Sequence, residues 1–356
     1  MHAMAGWTIL LKTPRGLERV AASRAEELLG EGVRAVPAPG GALGLVVLEG
    51  PGDAEEARRR LEEELMEAEK ILPVEARVSA TLEEICRAAA EAAVKHLKPG
   101  ETFAVRTTRR GRHPFTSIDV NVRAGACIQE ATGNPVNLDY PDKIVWVEIV
   151  GSEAFISVTD GGVERKKTYP GKPDVTALLA KISVAQVPYT GDLRGARKVG
   201  ERIGRAAQTF ELRELVIAPF KPVDAAELAE FIRGVMEGVK SRYEIQLRAY
   251  GRRVRRVKVV VQDLYQFVRD RRGEPIIATS TRGRVVAELA EQIRRVFEEH
   301  DRVNVLIGAR EGLPTGLFRY ATMVVDVAPG VTLATDVALS SCIVALVDAA
   351  LTVAKS

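Results

Sequence analysis

The C-terminal half of the chain contains three short apolar runs, each followed by a loop of small or turn-forming residues. The runs at 276–279, 304–307 and 323–327 are typical of buried parallel strands, and a helical pattern separates the first two. Ligands of parallel α/β sheets usually bind beyond the carboxyl ends of the strands. The loops that follow, at 279–283, 308–314 and 328–334, are therefore candidate ligand-binding segments.

Length and composition predict a multidomain α/β protein with well-formed cores. The chain has 356 residues, of which 46% are hydrophobic and 28% charged, and this balance excludes a disordered chain. No apolar stretch approaches the roughly 20 residues that span a bilayer, and the N-terminus lacks a signal-peptide pattern. We therefore expect a cytoplasmic protein with no membrane partner.

Cys86, Cys127 and Cys342 lie far apart in the sequence, with no CxxC motif and no nearby His. This spacing predicts neither a disulfide framework nor a metal site, and it fits a reducing compartment. The 37 Arg exceed the 14 Lys, and only four Asn occur. That composition is typical of a thermophile, a GC-rich genome or a phosphate-binding surface.

Charge is distributed unevenly along the chain. Residues 1–165 carry 20 Lys and Arg against 26 Asp and Glu, whereas residues 166–356 carry 31 against 22. The basic C-terminal part indicates an acidic partner, with ordinary solvated charge as the alternative.

Residues 1–79 are predicted to form a small N-terminal domain. Apolar periodicity gives the order β-α-β-β-α-β, which indicates a ferredoxin-like unit. Gly40, Gly41 and Gly44 precede a strand and do not match a dinucleotide fingerprint, so they are predicted turn residues.

Residues 80–165 carry a pattern that closely resembles the THUMP domain of RNA-modifying enzymes. The matching positions are Ser117, Val120, Asn121, Gly125, Ile128, Thr132, Gly133, Val136, Leu138, Pro141, Asp142, Val147, Glu148 and Ile149. The resemblance implies binding of the acceptor stem and 3′ end of tRNA. Within this domain Arg109, Arg110 and Arg112 are candidate phosphate contacts, with a solvated basic turn as the alternative.

Residues 166–205 are predicted to be a basic linker that includes a helix. One stripe of that helix holds the candidate RNA-binding residues Arg194, Arg197, Lys198, Arg202 and Arg205. Apart from Glu201, acidic partners are nearly absent at helical spacing, which favours RNA binding over a solvated face.

Residues 206–356 alternate predicted strands and helices, with further strands expected at 244–250 and 254–261. The three C-terminal loops resemble the SPOUT class of S-adenosylmethionine-dependent RNA methyltransferases, of the archaeal type fused to THUMP. Ile307-Gly308, Glu311-Gly312, the Pro-Gly loop and the small-residue helix after it carry this resemblance.

The resemblance implies a trefoil-knotted domain, S-adenosylmethionine as cofactor, and a homodimer formed through the C-terminal domain. The implied cofactor-binding residues are Thr279, Ser280, Ile307, Gly308, Gly312, Val327, Gly330, Thr332, Leu333 and Ala334.

Loop position selects Arg310, Glu311 and Arg282 as candidate catalytic residues. Either Arg could orient a phosphate or activate a hydroxyl, and Glu311 could accept a proton or bond its own loop. Asp336 is either a further polar group at the pocket or a helix cap. The Asn and Arg motif of ribose-methylating relatives is not matched at 218–221, which disfavours ribose chemistry.

The leading hypothesis is a tRNA methyltransferase in which the N-terminal domains position the substrate at the C-terminal active site. The alternative is a non-catalytic RNA-binding or assembly protein with a vestigial pocket. The target nucleotide and the methylated atom stay open.

Overall fold

The computed structural model describes residues 6–164 and 166–351. The chain divides into two compact units, Met1–Lys172 and Pro173–Ser356, each with its own sheets and cores. None of the helices in the described ranges is long and apolar enough to cross a membrane.

The first sheet of the N-terminal unit is fully antiparallel, with the strand order β2-β3-β1-β4. Its elements follow the predicted β-α-β-β-α-β order. They are β1 (Gly6–Lys12), α1 (Glu18–Leu29), β2 (Arg34–Pro37), β3 (Leu45–Pro51), α2 (Ala54–Glu64) and β4 (Lys70–Pro73).

The second sheet has the order β5-β8-β7-β6, in which only β6 and β7 run parallel. Helices α3 and α4 pack on one face of this sheet and share a hydrophobic core with it. The elements are β5 (Ala76–Ser79), α3 (Leu82–His96), β6 (Phe103–Arg110), α4 (Ser117–Thr132), β7 (Lys143–Val150) and β8 (Glu153–Asp160).

The two sheets of this unit pack against each other around a buried carboxylate. Leu10 and Leu45 of the first sheet share a core with Ile144 and Trp146 of the second. At the edge of that core, Glu148 is fully buried and accepts hydrogen bonds from Lys12 Nζ and from Arg110 Nη1. Because a buried charge is costly without its partners, this cluster stabilises the packing of the two sheets.

A disulfide joins Cys86 of α3 to Cys127 of α4, so the expectation that the cysteines stay unpaired is wrong. The bridge closes a separation of 41 residues, which in the chain-entropy account stabilises the folded unit by about 4 kcal/mol. Cys342 is free and buried, and burial raises the pKa of its thiol to about 12. Its thiol is therefore protonated and inaccessible in the folded protein.

Counting thiols tests this assignment directly. We expect the native protein to react with essentially no thiol reagent at neutral pH, because Cys342 is buried and the other cysteines are bonded. Denaturation without reductant should release one reactive thiol per chain, and denaturation after reduction should release three. Three reactive thiols in denaturant alone would show that Cys86 and Cys127 are not bonded.

The C-terminal unit is built on a six-stranded sheet with the order β11-β10-β9-β13-β12-β14, in which all neighbouring strands are parallel. Its elements are α5 (Thr176–Leu179), β9 (Ile182–Gln186), α6 (Leu193–Thr209), β10 (Glu214–Ile217), α7 (Ala225–Ala249), β11 (Lys258–Val261), α8 (Leu264–Asp270), β12 (Ile276–Val285), α9 (Ala290–Glu299), β13 (Val303–Ile307), β14 (Met323–Asp326) and α10 (Thr335–Leu351).

This unit differs from the sequence prediction in two places. The sequence predicts a linker at residues 166–205, yet these residues supply β9, an interior strand of the sheet, and most of α6. Residues 244–250 were predicted as a strand, but 244–249 continue α7. The fully buried Gln246 in this turn bonds to Gln208 of α6, a tertiary contact that favours helix over local strand propensity.

The helices cover the two faces of the sheet unequally. Helices α6, α7, α9 and α10 share one large core with the sheet, whereas α8 and the 3-10 helix Thr315–Tyr320 cover the opposite face. The loop after β9 therefore runs to one face of the sheet, and the loop after β13 runs to the other. Open space between such loops lies at the carboxyl edge of the sheet.

Helices α6 and α7 approach so closely that only glycine fits at four positions. A methyl group on Gly200 or Gly204 of α6 would lie under 3.0 Å from backbone atoms of α7. The same holds for Gly234 and Gly238 of α7 against α6. The reciprocal pairs thus fix the spacing of the two helices that cover β9 and β10.

We expect Gly204→Ala to lower the free energy of unfolding by about 2–3 kcal/mol, because its Cβ would overlap the Val235 backbone, which cannot retreat. The melting temperature of the C-terminal unit, measured by calorimetry, should fall by roughly 5–10 °C. Gly125→Ala in α4 is the matched control, since no atom lies within 4 Å of its Cβ position. Equal melting temperatures for the two variants would contradict the close packing.

Candidate active site

A cavity of about 370 Å³ lies at the carboxyl ends of β12, β13 and β14. The structure brings the three predicted loops together there. Eight of the ten predicted cofactor-binding residues line it, together with all three candidate catalytic residues: Thr279, Ser280, Ile307, Gly308, Gly312, Val327, Thr332, Leu333, Arg282, Arg310 and Glu311. The remaining two, Gly330 and Ala334, lie in the third loop but are not in the lining.

Backbone crossings shape the cavity. β12 pairs with β14 up to Thr279, makes an excursion, and pairs again from Arg284, which is again opposite Val325. Within the excursion, a Cβ on Gly283 would lie 2.5 Å from the carbonyl carbon of Val325. In the next loop, a Cβ on Gly308 would lie 2.7 Å from that of Gly312. Side chains at these two glycines would block the crossings.

Hydrogen bonds hold the loops in place. Thr279 Oγ1 donates to the Leu306 carbonyl at 3.0 Å, and the Arg282 backbone N–H donates to Ser280 Oγ at 3.1 Å. The Ala328 N–H donates to Asp326 Oδ1 at 3.1 Å. The lining is therefore organised by the protein itself, as is usual for small-molecule sites.

Apolar residues complete the wall. Leu313, Val325 and Val331 come from the predicted runs and loops and Ala338 from the small-residue helix, whereas Phe318 was not expected from sequence. Phe318 comes from the 3-10 helix Thr315–Tyr320, which packs on the opposite face of the sheet from α10. No periodic pattern marks that six-residue segment, so its contribution could not be found from sequence.

The charged residues at the cavity differ in whether they pair with an oppositely charged side chain. The Arg310 guanidinium lies 5.9 Å from the ring of Tyr189, and no carboxylate of the described ranges pairs with it. Glu311 instead bonds through both carboxylate oxygens to Lys221 Nζ, at 2.6 and 2.5 Å. The sequence predicts that Glu311 accepts a proton or bonds its own loop, and it does not predict this ion pair.

Asp336 does not line the cavity and pairs with Arg202 of α6 at 2.5 Å. Arg197, on the same stripe of α6, bonds to Glu237 and Glu230 of α7, and hydrogen bonding to Glu237 is the main reason that its pKa is raised. The carboxylates missing at helical spacing are thus supplied by neighbouring helices.

The rest of the predicted RNA-binding stripe stays at the surface. Arg205 donates to Ser241 Oγ, and Arg194 and Lys198 are exposed with no carboxylate partner among the residues that the structure describes. Two of the five side chains are therefore free for phosphate contacts.

The basic turn of the N-terminal unit is also partly engaged. Arg110 bonds to the buried Glu148, and Arg109 donates to the His113 carbonyl. Arg112 alone of the predicted three is exposed, and its side chain has no hydrogen-bond or ion-pair partner in the described part of this unit. One side chain rather than three is thus available to an RNA phosphate at this turn.

The family model for AF2226-like SPOUT RNA methylase fused to THUMP matches residues 176–355, and the THUMP domain model matches residues 79–159. The chain therefore belongs to the family of SPOUT RNA methylases fused to a THUMP domain. The matched region begins before β9, in agreement with the unit boundary near Pro173.

An uncharacterized protein of Methanocaldococcus jannaschii is 38% identical over 339 residues, which cover 95% of this chain and 92% of the relative. A tRNA (guanine(6)-N2)-methyltransferase of Thermus thermophilus is 30% identical over 135 residues, covering 38% of this chain and 40% of that protein. The crystal structure of PH1313 from Pyrococcus horikoshii aligns over 84% of this chain and 93% of its own, at 18% identity and a TM-score of 0.36.

Proposed function

We propose that this protein is an S-adenosylmethionine-dependent tRNA methyltransferase. The observation that carries the proposal is the cavity formed by three loops at the carboxyl ends of β12, β13 and β14. The THUMP domain and the short match to a tRNA methyltransferase support tRNA as the substrate. In the proposal the THUMP domain binds the acceptor end, and the N-terminal β-α-β-β-α-β domain is the ferredoxin-like partner that accompanies it.

The cavity suits the proposed cofactor chemically. Its volume falls in the range of small-molecule sites, about 300–1,000 Å³. Leu313, Leu333 and Ala338 offer apolar surface for an adenine ring, and the adjacent loop backbones offer donors and acceptors for its polar edge. S-adenosylmethionine would supply an electrophilic methyl group, and Arg282 would be positioned to meet its carboxylate.

Methyl transfer requires the nucleophile to be held in line with the donor, so orientation contributes much of the rate. We assign this role to Arg310, whose donors are not taken by a carboxylate and whose side chain lies at the rim of the cavity. A guanidinium can hold an RNA phosphate or stabilise charge on the nucleophilic atom. In the free protein both oxygens of Glu311 are bonded to Lys221 Nζ, so we assign the positioning role to Arg310 and not to Glu311.

Cofactor binding tests the proposal first. By isothermal titration calorimetry we expect the wild type to bind S-adenosylmethionine, and Gly308→Ala to bind it at least about tenfold more weakly because the added Cβ displaces the Gly312 loop. Gly316→Ala is the control, since the nearest atom to its Cβ position is a flexible Arg319 nitrogen at 3.9 Å. A wild type that does not bind at sub-millimolar cofactor would favour the non-catalytic RNA-binding alternative.

Turnover is tested with purified protein, S-adenosylmethionine and unmodified tRNA, followed by mass spectrometry of the nucleosides. We expect one methylated nucleoside, and its identity would give the target atom. Arg310→Ala should lower kcat/KM by about a hundredfold, since it removes a charged donor at the reacting centre. Arg319→Ala, an exposed neighbour outside the cavity lining, should leave kcat/KM unchanged. Equal activity of Arg310→Ala and wild type would remove Arg310 from the site.

We further propose that the C-terminal unit dimerises through α10. Val337 and Val344 are exposed on one side of this helix, with Ser341 and Ala345 between and beside them. This small, apolar strip would permit close packing of a second copy. Light scattering should give twice the chain mass of 38.7 kDa, and a monomer at working concentration would contradict the dimer.

The trefoil knot of the SPOUT class is likewise a proposal for this chain. The crossing of the 280–283 excursion against β14 at Gly283 supports it. Unfolding and refolding of the purified protein should then show a slow phase that Gly283→Ala alters, and single-phase kinetics for both proteins would count against a knot.

A further inference from the structure

A second cleft, of about 420 Å³, lies on the other side of the 309–312 loop. It is formed by the segments that follow β9, β10 and β13, including Pro188, Thr190, Phe220 and Lys221. β9 and β13 are neighbours in the sheet, and the loops that leave them run to opposite faces. Such a topological switch point is where open α/β sheets usually bind ligands.

The Lys221–Glu311 ion pair bridges this cleft. Lys221 follows β10 and Glu311 follows β13, so the pair spans the carboxyl end of β9, which lies between them. The side chains remain 47% and 63% exposed. An exposed ion pair shifts an equilibrium by no more than about fivefold, so a ligand that binds Lys221 better can displace the carboxylate.

The cleft offers what a phosphodiester next to a base requires. Glu311 already places an anion on Lys221, and the uncommitted donors of Arg310 border the same cleft. Together Lys221 and Arg310 outweigh the single carboxylate by one positive charge. Pro188, Pro219 and Phe220 give an apolar wall against which a base can pack.

We propose that the switch-point cleft binds a nucleotide of the RNA through its phosphodiester, with Lys221 and Arg310 as the phosphate ligands and Glu311 as a latch. In the free protein Glu311 neutralises Lys221, and the entering phosphate displaces it. The proposal rests on the proposed function, because it places a nucleotide that neighbours the acceptor nucleotide across the shared 309–312 loop from the cofactor cavity. It goes beyond the proposed function because it identifies Glu311 as an acidic residue that opposes substrate binding.

The test titrates two probes into the full chain in the presence of saturating S-adenosylmethionine. Uridine is uncharged, and the dinucleoside phosphate uridylyl-uridine carries one phosphodiester. The wild type should bind uridylyl-uridine at least about tenfold more tightly than uridine, as expected for charge-assisted bonds. Lys221→Met should remove most of that difference and leave only the contribution of Arg310, whereas Lys221→Arg should retain most of it. Glu311→Gln should increase affinity for uridylyl-uridine about threefold to fivefold, because the competing carboxylate is gone.

Arg295→Met on α9 is the control for general loss of positive charge, since Arg295 is exposed and lies in an ion pair with Glu291 away from both clefts. Melting temperatures of all variants check that they fold. A Glu311→Gln variant that loses affinity as Lys221→Met does would overturn the latch, because the ion pair would then be a structural clasp. Unchanged binding by Lys221→Met, no wild-type preference for the diester, or equal binding of inorganic phosphate would overturn the nucleotide site.

The two proposals fail in different ways. A wild type that binds uridylyl-uridine through Lys221 but does not bind S-adenosylmethionine contradicts the methyltransferase assignment alone. A wild type that binds and uses S-adenosylmethionine, while Lys221→Met leaves both uridylyl-uridine affinity and the KM for tRNA unchanged, contradicts the switch-point site alone.

Discussion

The architecture of the C-terminal unit depends on main-chain segments that approach more closely than any side chain would allow. Helices α6 and α7 meet at Gly200, Gly204, Gly234 and Gly238, and the 280–283 excursion crosses β14 at Gly283. A β-carbon at any of these positions would overlap main-chain atoms of the facing segment. Main-chain atoms cannot move aside by changing rotamer as a side chain can. The helix pair fixes the covering of β9 and β10, and the crossing fixes the loops over β12 and β14. These close contacts therefore determine the shape of both clefts.

The 309–312 loop has an unusual position because it borders both clefts. One side faces the cavity beyond β12 and β14, and the other faces the switch point between β9 and β13. In the proposed function, a nucleotide bound in the second cleft would lie across this loop from the cofactor, and Arg310 borders both clefts. The buried Gln186 supports this arrangement from below, since its Nε2 donates to the Gly308 carbonyl at 3.2 Å. Rigid support of this kind is what catalysis by orientation requires.

The three loops that line the first cavity could be predicted from sequence because their signals are local. An apolar run such as 304–307 followed by Gly308 reads as strand then turn without knowledge of its neighbours. The second cleft could not be found in this way, because it needs the strand order that places β9 beside β13. The partners of Arg197 and Arg202 were missed for a similar reason, since Glu237 and Asp336 come from other helices. The disulfide joins cysteines 41 residues apart, and no periodicity encodes that contact.

Part of the charge in the N-terminal unit is used for internal packing. Glu148 is buried between the two sheets and takes up Lys12 and Arg110, while Glu164 engages Arg106 through a forked hydrogen bond that holds the pKa of Glu164 below its usual range. Cations that pair with carboxylates inside the protein cannot release counterions from RNA. These internal ion pairs leave fewer cations of the THUMP domain for the RNA contacts that the proposed function requires. In the proposed function, exposed positions such as Arg112 of this domain and Arg194 and Lys198 on α6 are the ones left to contact RNA phosphates.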